Sequence, residues 1–322
     1  MKKVVLFGEC MIELKQTGNS DSVPVQMQQG FAGDVFNAAV YLTRCFNDID
    51  IQLFTALGRD DYSNSMKDYL KAENVGTDLI LTSEDKIPGL YSIQTDSAGE
   101  RSFTYWRNDA AARYVMELIT DDVIEQLKQS DMFVFSGISL AVIKPELREM
   151  FWQLIAQLKD AGVEIVFDPN YRPRLWADTT ETKTQYKLAL QASDYVLPGI
   201  EDFEVLYGLS TFEDVAEFCK PYNIKELVIK DGPNGVLIIQ QQNSEKNDNQ
   251  QTQQFINIEP VKTVIDTTSA GDSFNGVYLG ARLSDLTVEQ AVSKAAKTAG
   301  FVIQHPGAIV EKSIFNQFTK TL

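Results

Sequence analysis

Short apolar runs alternate along this chain with longer stretches whose apolar residues recur at helical spacing. VVLFG (4–8), IQLFTAL (51–57), MFVFSGI (132–138), VEIVFD (163–168), DYVLP (194–198) and KELVIKD (225–231) read as strands. FNAAVYLTRCF (36–46), DYSNSMKDYLKAENV (61–75) and the stretch from Glu117 to Gln129 read as helices. The clearest helix is predicted from Pro145 to Ala161, where Leu147, Phe151, Leu154, Ile155 and Leu158 fall on one face. Alternation of this kind predicts βαβ crossovers, hence an α/β fold with a mostly parallel sheet covered by helices.

Two regions depart from the alternation. GLYSIQT (89–95) and RSFTYWR (101–107), joined by DSAGE, read as a hairpin ending in aromatics and an arginine. The segment from Glu13 to Gly30 is strand-like, polar and loose. Together they predict a small β-sheet outside the main layer, acting as a lid; for the hairpin alone, an ordinary surface hairpin is an equally good reading. QQQNSEKNDNQQTQQ (240–254) is too polar to form a core and lies between strand-like GVLII and QFINI. It is expected to be an elongated hairpin tip, with no domain boundary.

A length of 322 residues, with 44% hydrophobic and 23% charged residues, suits one large folded domain with a small subdomain. The opening MKKVVLFGEC has a signal-like start, but its apolar run stops at Gly8-Glu9, which favours a first strand. Cys10, Cys45 and Cys219 are far apart and form no CxxC pair, so they read as small thiols of a cytoplasmic protein. The single histidine, His305, rules out His-rich metal sites and reads as structural. A net charge of −16 argues against nucleic-acid partners and anionic membranes. Any anion site must therefore be built locally, from helix starts and well-placed arginines.

No GxxxxGK[ST], GxGxxG after the first strand, GxSxG or HExxH is present. The strongest chemical signal is DTTSAGD, Asp266 to Asp272. VKTVID before it reads as a strand end, and a helix with Phe274, Val277, Tyr278 and Leu279 on its apolar face follows. Small residues at Ser269, Ala270 and Gly271 let backbone N–H groups approach an anion, and the helix start favours negative charge. Asp272 is then placed to accept a proton from an attacking hydroxyl. An ordinary N-cap is the plainer reading of the same aspartate.

DTTSAGD resembles the second signature of the PfkB/ribokinase family of sugar kinases, with Ser269 where glycine is more usual. Gly30 to Asn37 is similar to the family's amino-terminal signature, a sugar-binding turn that keeps Gly33 and Asn37. The resemblance extends over nearly the whole chain. It implies a ribokinase-like three-layer α/β/α domain over residues 1–322, with a lid formed from about 9–35 and 86–112. It also implies a kinase that uses ATP and Mg2+, with Asp272 as base and the amides of Ser269, Ala270 and Gly271 as anion hole. GECMIEL (8–14), residues 88–112 and FDPNYRPRLW (167–176) resemble the branch of the family acting on 2-keto-3-deoxygluconate. On that resemblance Gly33, Asp34 and Asn37 hold sugar hydroxyls, while Tyr91, Tyr105, Arg107 and Arg172 hold the acid end.

Arginine's planar fork suits a carboxylate, which a neutral hexose lacks. Arg107 could instead end in a rim ion pair, for instance with Glu100. The resemblance further implies nucleotide contacts from Asn170, Lys230, Gly232 and Gly235. The family's metal-associated N-x-x-E motif falls on Gly199 and Asp202, which leaves Asp202 or Glu201 as the carboxylate nearest the magnesium. The expected partners are a small sugar acid and ATP, with a homodimer or higher homo-oligomer formed through the aromatic lid. A neutral-sugar kinase such as a fructokinase, or a non-catalytic sugar-acid sensor, are the alternatives.

Overall fold

The computed structural model describes residues 1–17, 24–95, 101–241 and 251–322. Its strands are β1 (Lys2–Phe7), β2 (Met11–Thr17), β3 (Gln26–Ala32), β4 (Ile49–Leu57), β5 (Ile80–Thr82), β6 (Leu90–Thr95) and β7 (Arg101–Trp106). They continue with β8 (Met132–Ser136), β9 (Glu164–Asp168), β10 (Tyr195–Val196), β11 (Glu226–Lys230), β12 (Val236–Gln241) and β13 (Gln251–Ile256). Nine of them form one sheet, ordered β13-β12-β11-β10-β9-β8-β1-β4-β5. Pairing is parallel from β5 through to β11, and antiparallel for β12 and β13. The remaining four form a second sheet, β3-β2-β6-β7.

The period of two along the central strands explains the helix layers. Val4 and Leu6 of β1 enter one apolar cluster, and Val5 and Phe7 enter the other. Both faces are apolar, so both need cover. One face receives the helix Arg148–Asp160 through Phe151, Leu154, Ile155 and Leu158. The other receives the helices Asp34–Cys45 and Ala270–Leu283, which pack directly on each other. A Cβ at Gly276 would lie 2.2 Å from the carbonyl oxygen of Ala38, so only glycine permits this approach. That contact is what brings the starts of the two helices together. The chain leaves β1 toward β4 on one side and β8 lies on the other, so the sheet reverses its winding at β1/β8. Open α/β sheets bind ligands at such a point, beyond the carboxyl ends of the strands.

Several expectations need correction. VKTVID does not end a strand: Val264 and Ile265 are exposed, and the segment is tied down by the N–H groups of Ile265 and Asp266 donating to the Ile303 carbonyl. Part of the polar stretch 240–254 is ordered ladder, with Gln240 opposite Thr252 and Gln241 opposite Gln251. The expected hairpin is present, and its strands run further into the polar stretch because backbone pairing asks nothing of side-chain polarity. The helix expected over 117–129 is a short one, Asp121–Leu127, capped by the Thr120 hydroxyl. The DSAGE turn, with Glu100, and residues 242–250 lie outside the described residues.

Candidate active site

Strand ends and helix starts converge at the winding reversal. β9 delivers Asp168 and β8 delivers Ser136. The helix Asp34–Cys45 opens with Asp34 and carries Asn37 one turn in. The helix Ala270–Leu283 carries Asp272 in its first turn and Asn275 next to it in space. Asp34, Ser136, Asp168, Asp272 and Asn275 line a cavity of about 20 Å³, floored by apolar residues such as Val134 and Leu279.

Amides hold the carboxylates in place. Asn37 Nδ2 donates to Asp272 Oδ2 at 2.9 Å, and Asn275 Nδ2 to Asp168 Oδ2 at 2.9 Å. Ser136 Oγ and Asn170 Nδ2 both donate to Asp34 Oδ2, at 2.5 and 3.2 Å. Lys230 Nζ donates to Asn275 Oδ1 at 2.6 Å and stands 3.9 Å from Asp168. Crowding of acids in a partly shielded place has an electrostatic consequence. Burial, then the neighbouring Asp34 and Asp168, push Asp272 up to about 7, against the pull of Asn37 and Ser269. Burial pushes Asp168 up to about 7 as well, with Asp202 and Asp34 adding to it and Lys230 opposing. A carboxyl poised near neutrality is suited to taking and releasing a proton.

Asp272 is held beside a strained turn. Ser269 sits in the left-handed region, at φ 65, and Asn170 at φ 33. Such conformations cost a non-glycine residue on the order of 1–2 kcal/mol and concentrate at functional sites. The turn is clamped by Asp266, whose carboxylate accepts from Thr268 N at 3.0 Å and Gly307 N at 2.9 Å. The expected three-amide cradle is revised, because Ala270 N–H turns back to the Thr267 carbonyl at 3.2 Å. Ser273 N–H makes the first full helical bond, to Ser269 O. Gly271 and Asp272 N–H therefore stand at the helix start, where no preceding turn supplies carbonyls.

Of the residues expected at the acid end, Tyr91, Tyr105 and Arg107 belong to the second sheet and its root, whereas Arg172 follows β9 of the main sheet. Tyr91 is buried, donates to the Glu13 carboxylate, and stacks on Tyr105 with ring centroids 5.7 Å apart. Tyr105 is 45% exposed. Arg107 is not a rim residue: it is buried and ion-paired with buried Glu9. Arg172 is half exposed, bonds the Tyr171 carbonyl and lies 3.9 Å from Asp202. Gly33 backs onto the Glu9 carbonyl, where a Cβ would lie 2.2 Å away. Gly232 and Gly235 turn the chain from β11 to β12 and do not line the cavity.

The two metal candidates separate. Glu201 points outward in the first turn of its helix, where its side chain is exposed. Asp202 points inward, accepts from Tyr171 N at 2.7 Å and is raised by burial. Among the described residues no group of three or more acids, histidines or cysteines forms a metal cage. The donor set would suit a Mg2+ held mainly by water and phosphate oxygens, as that ion prefers, with Asp202 and Asp168 the carboxylates that would help to hold it.

Asp168, Asn275, Glu9, Glu13 and Ser136 were not singled out in the sequence. Asp168 carried a usable signal, a carboxylate at the carboxyl end of an apolar strand. Asn275 and Ser136 carried none, since the aspartates they hold are more than a hundred residues away.

This fold and this pairing of a helix-start aspartate with a clamped small-residue turn define a phosphoryl-transfer enzyme of the sugar-kinase type. The model of the pfkB family carbohydrate kinases matches residues 1–313, and the chain belongs to that family. It is 38% identical over 318 residues to a protein of Escherichia coli (strain K12) named 2-dehydro-3-deoxygluconokinase, covering 97% of this chain and 98% of that one. Among solved structures it is similar to a PfkB protein from Polaromonas sp. JS666, with TM-score 0.81, 22% identity and coverage of 98% and 99%. It is also similar to a putative ribokinase II of E. coli in complex with ATP and Mg2+, with TM-score 0.80, 20% identity and full coverage of both chains. No helix among the described residues is long and apolar enough to cross a membrane.

Proposed function

We propose that this kinase transfers the terminal phosphoryl group of ATP to the primary hydroxyl of 2-dehydro-3-deoxygluconate, giving the 6-phosphate. The observation that carries the reading is Asp272, a partly buried carboxyl pushed up to about 7 at a helix start, in a chain 38% identical end to end to a kinase of that name. Asp272 takes the hydroxyl proton as the oxygen attacks. Asn37 keeps the carboxylate oriented through its 2.9 Å bond. Gly271 and Asp272 N–H, with the helix dipole, face the charge that spreads over the moving phosphoryl group. Lys230, held by Asn275, sets a cation beside Asp168 where nucleotide phosphates would otherwise meet only acids. Mg2+, when bound, neutralises phosphate charge.

On this reading the second sheet is the lid. It brings Tyr91 and Tyr105 over the sugar, while Arg107 and Arg172 meet its carboxylate. Closure keeps water from competing for the phosphoryl group. The aromatic edge strand β7, with Phe103, Tyr105 and Trp106 all exposed, also suits pairing of two copies through the lids. One observation favours a second reading, a neutral-sugar kinase: Arg107 already has an acidic partner in Glu9. ADP release measured over a panel of sugars and sugar acids separates the two. Preference for the keto acid is expected; equal or greater turnover of fructose would overturn the assignment.

A further inference from the structure

Four chain crossings join the two sheets, and one residue, Glu9, meets all of them. Glu9 forms the first crossing, between β1 and β2, and is 2% exposed. At the second, after β3, Gly33 lies so close to the Glu9 carbonyl that a side chain would not fit. At the third, before β6, a Cβ on Gly89 would come within 2.5 Å of Glu9 Oε1. The fourth, after β7, is Arg107, whose Nη2 pairs with Glu9 Oε2. Gly89 and Arg107 thus close around the Glu9 carboxylate, and Gly33 around its main chain.

A buried acid is a poor choice for a purely mechanical hinge, because apolar residues of similar volume usually hold such a joint as well or better. Its value lies in what it does to the arginine. The guanidinium presents five N–H donors in a rigid fork, and one Nη2 contact leaves most of that fork open. The contact also anchors the fork to the end of β1, a rigid central strand, instead of to the edge strand β7. The guanidinium also lies 5.9 Å from the centroid of the Tyr105 ring.

We propose that Glu9 is the positioning residue for Arg107, fixing the guanidinium at the root of the lid so that its open donors meet the carboxylate of the sugar acid. This rests on the reading of Arg107 as the carboxylate contact. Glu9 does not touch substrate; it acts through Arg107. A structural latch with no such role would affect all sugars, and ATP, alike.

A double-mutant cycle tests this, with kcat and KM measured for 2-dehydro-3-deoxygluconate and for ATP in the wild type, Glu9→Gln, Arg107→Ala and the double variant. Glu9→Gln should raise KM for the sugar acid on the order of 10- to 100-fold, the worth of a charge-assisted hydrogen bond. KM for ATP and kcat should stay within about threefold. In the Arg107→Ala background the same change should add little, because two residues acting as one unit are not additive. Gly89→Ala, whose Cβ would lie 2.5 Å from Glu9 Oε1 and 3.0 Å from Arg107 Cβ, disturbs the Glu9–Arg107 pair without altering its charge and should reproduce the KM effect, which supplies the result if Glu9→Gln does not fold. Losses that multiply in the double variant, or an unchanged KM in both Glu9→Gln and Gly89→Ala, overturn the proposal. If Arg107→Ala itself leaves the sugar-acid KM unchanged, the carboxylate reading falls and this proposal with it. A selective loss in Arg107→Ala beside a silent Glu9→Gln removes only the role of Glu9.

Discussion

Asp272→Asn separates catalysis from stability. The substitution keeps the shape and can still accept from Asn37, but it cannot take a proton. Turnover should fall about 10²- to 10⁴-fold, the range for removing a general base, while ATP still binds. The stability effect has the opposite sign. Folding moves the carboxyl from 3.8 up to about 7. An acid raised in this way holds its proton more tightly when folded. Stability is therefore fully present below about pH 4, declines as pH climbs toward 7, and is flat above. At 1.36 kcal/mol per pH unit, keeping Asp272 ionised at pH 8 costs the fold on the order of 4 kcal/mol, an upper limit. Solvent access at the cavity mouth lowers that figure, and about 2 kcal/mol is the working expectation. Asparagine is neutral throughout. The variant should thus melt about 4 °C above the wild type at pH 8, with the gap shrinking toward pH 5. Calorimetry at the two pH values and an ADP-release assay read both arms. A Tm gap that does not change with pH would refute the electrostatic argument, and retention of more than a tenth of the rate would remove Asp272 from the base role.

Wild-type kcat/KM should rise with pH and level off above about 7, as Asp272 loses its proton; a flat profile between pH 5 and 8 would contradict this. Arg107→Ala should lower kcat/KM for the sugar acid far more than for a neutral ketose, and equal losses would show that it does not read a carboxylate. Ser269→Gly relieves the left-handed conformation and should raise Tm by about 2 °C, given a cost on the order of 1 kcal/mol; a lower Tm would mean that the serine side chain stabilises the turn. Gly276→Ala forces apart the helices that carry Asn37 and Asp272, and a loss of about 1–3 kcal/mol is expected by thermal melting. Light scattering should give the mass of a dimer, reduced to a monomer by Trp106→Glu on β7; an unchanged mass would place the interface elsewhere.

Period-two and helical spacing along the chain were enough to read the α/β alternation, the early hairpin, the helix over 36–46 and the helix start at Asp272. These are local signals, carried by neighbours a few residues apart. Other features of the site depended on contacts that no local spacing encodes. Asn37 reaches Asp272 across 235 residues, because Gly276 lets two helices touch. The segment 261–266 looks like a strand by composition, yet the Ile303 carbonyl captures the amides of Ile265 and Asp266 instead of a sheet. Glu9 appeared in the sequence only as the end of an apolar run, and burial among four chain crossings gave it a partner in Arg107. The identities of the acids were written in the sequence; their raised pKa values came only from the tertiary structure, since burial and like-charge proximity arise when distant strand ends meet.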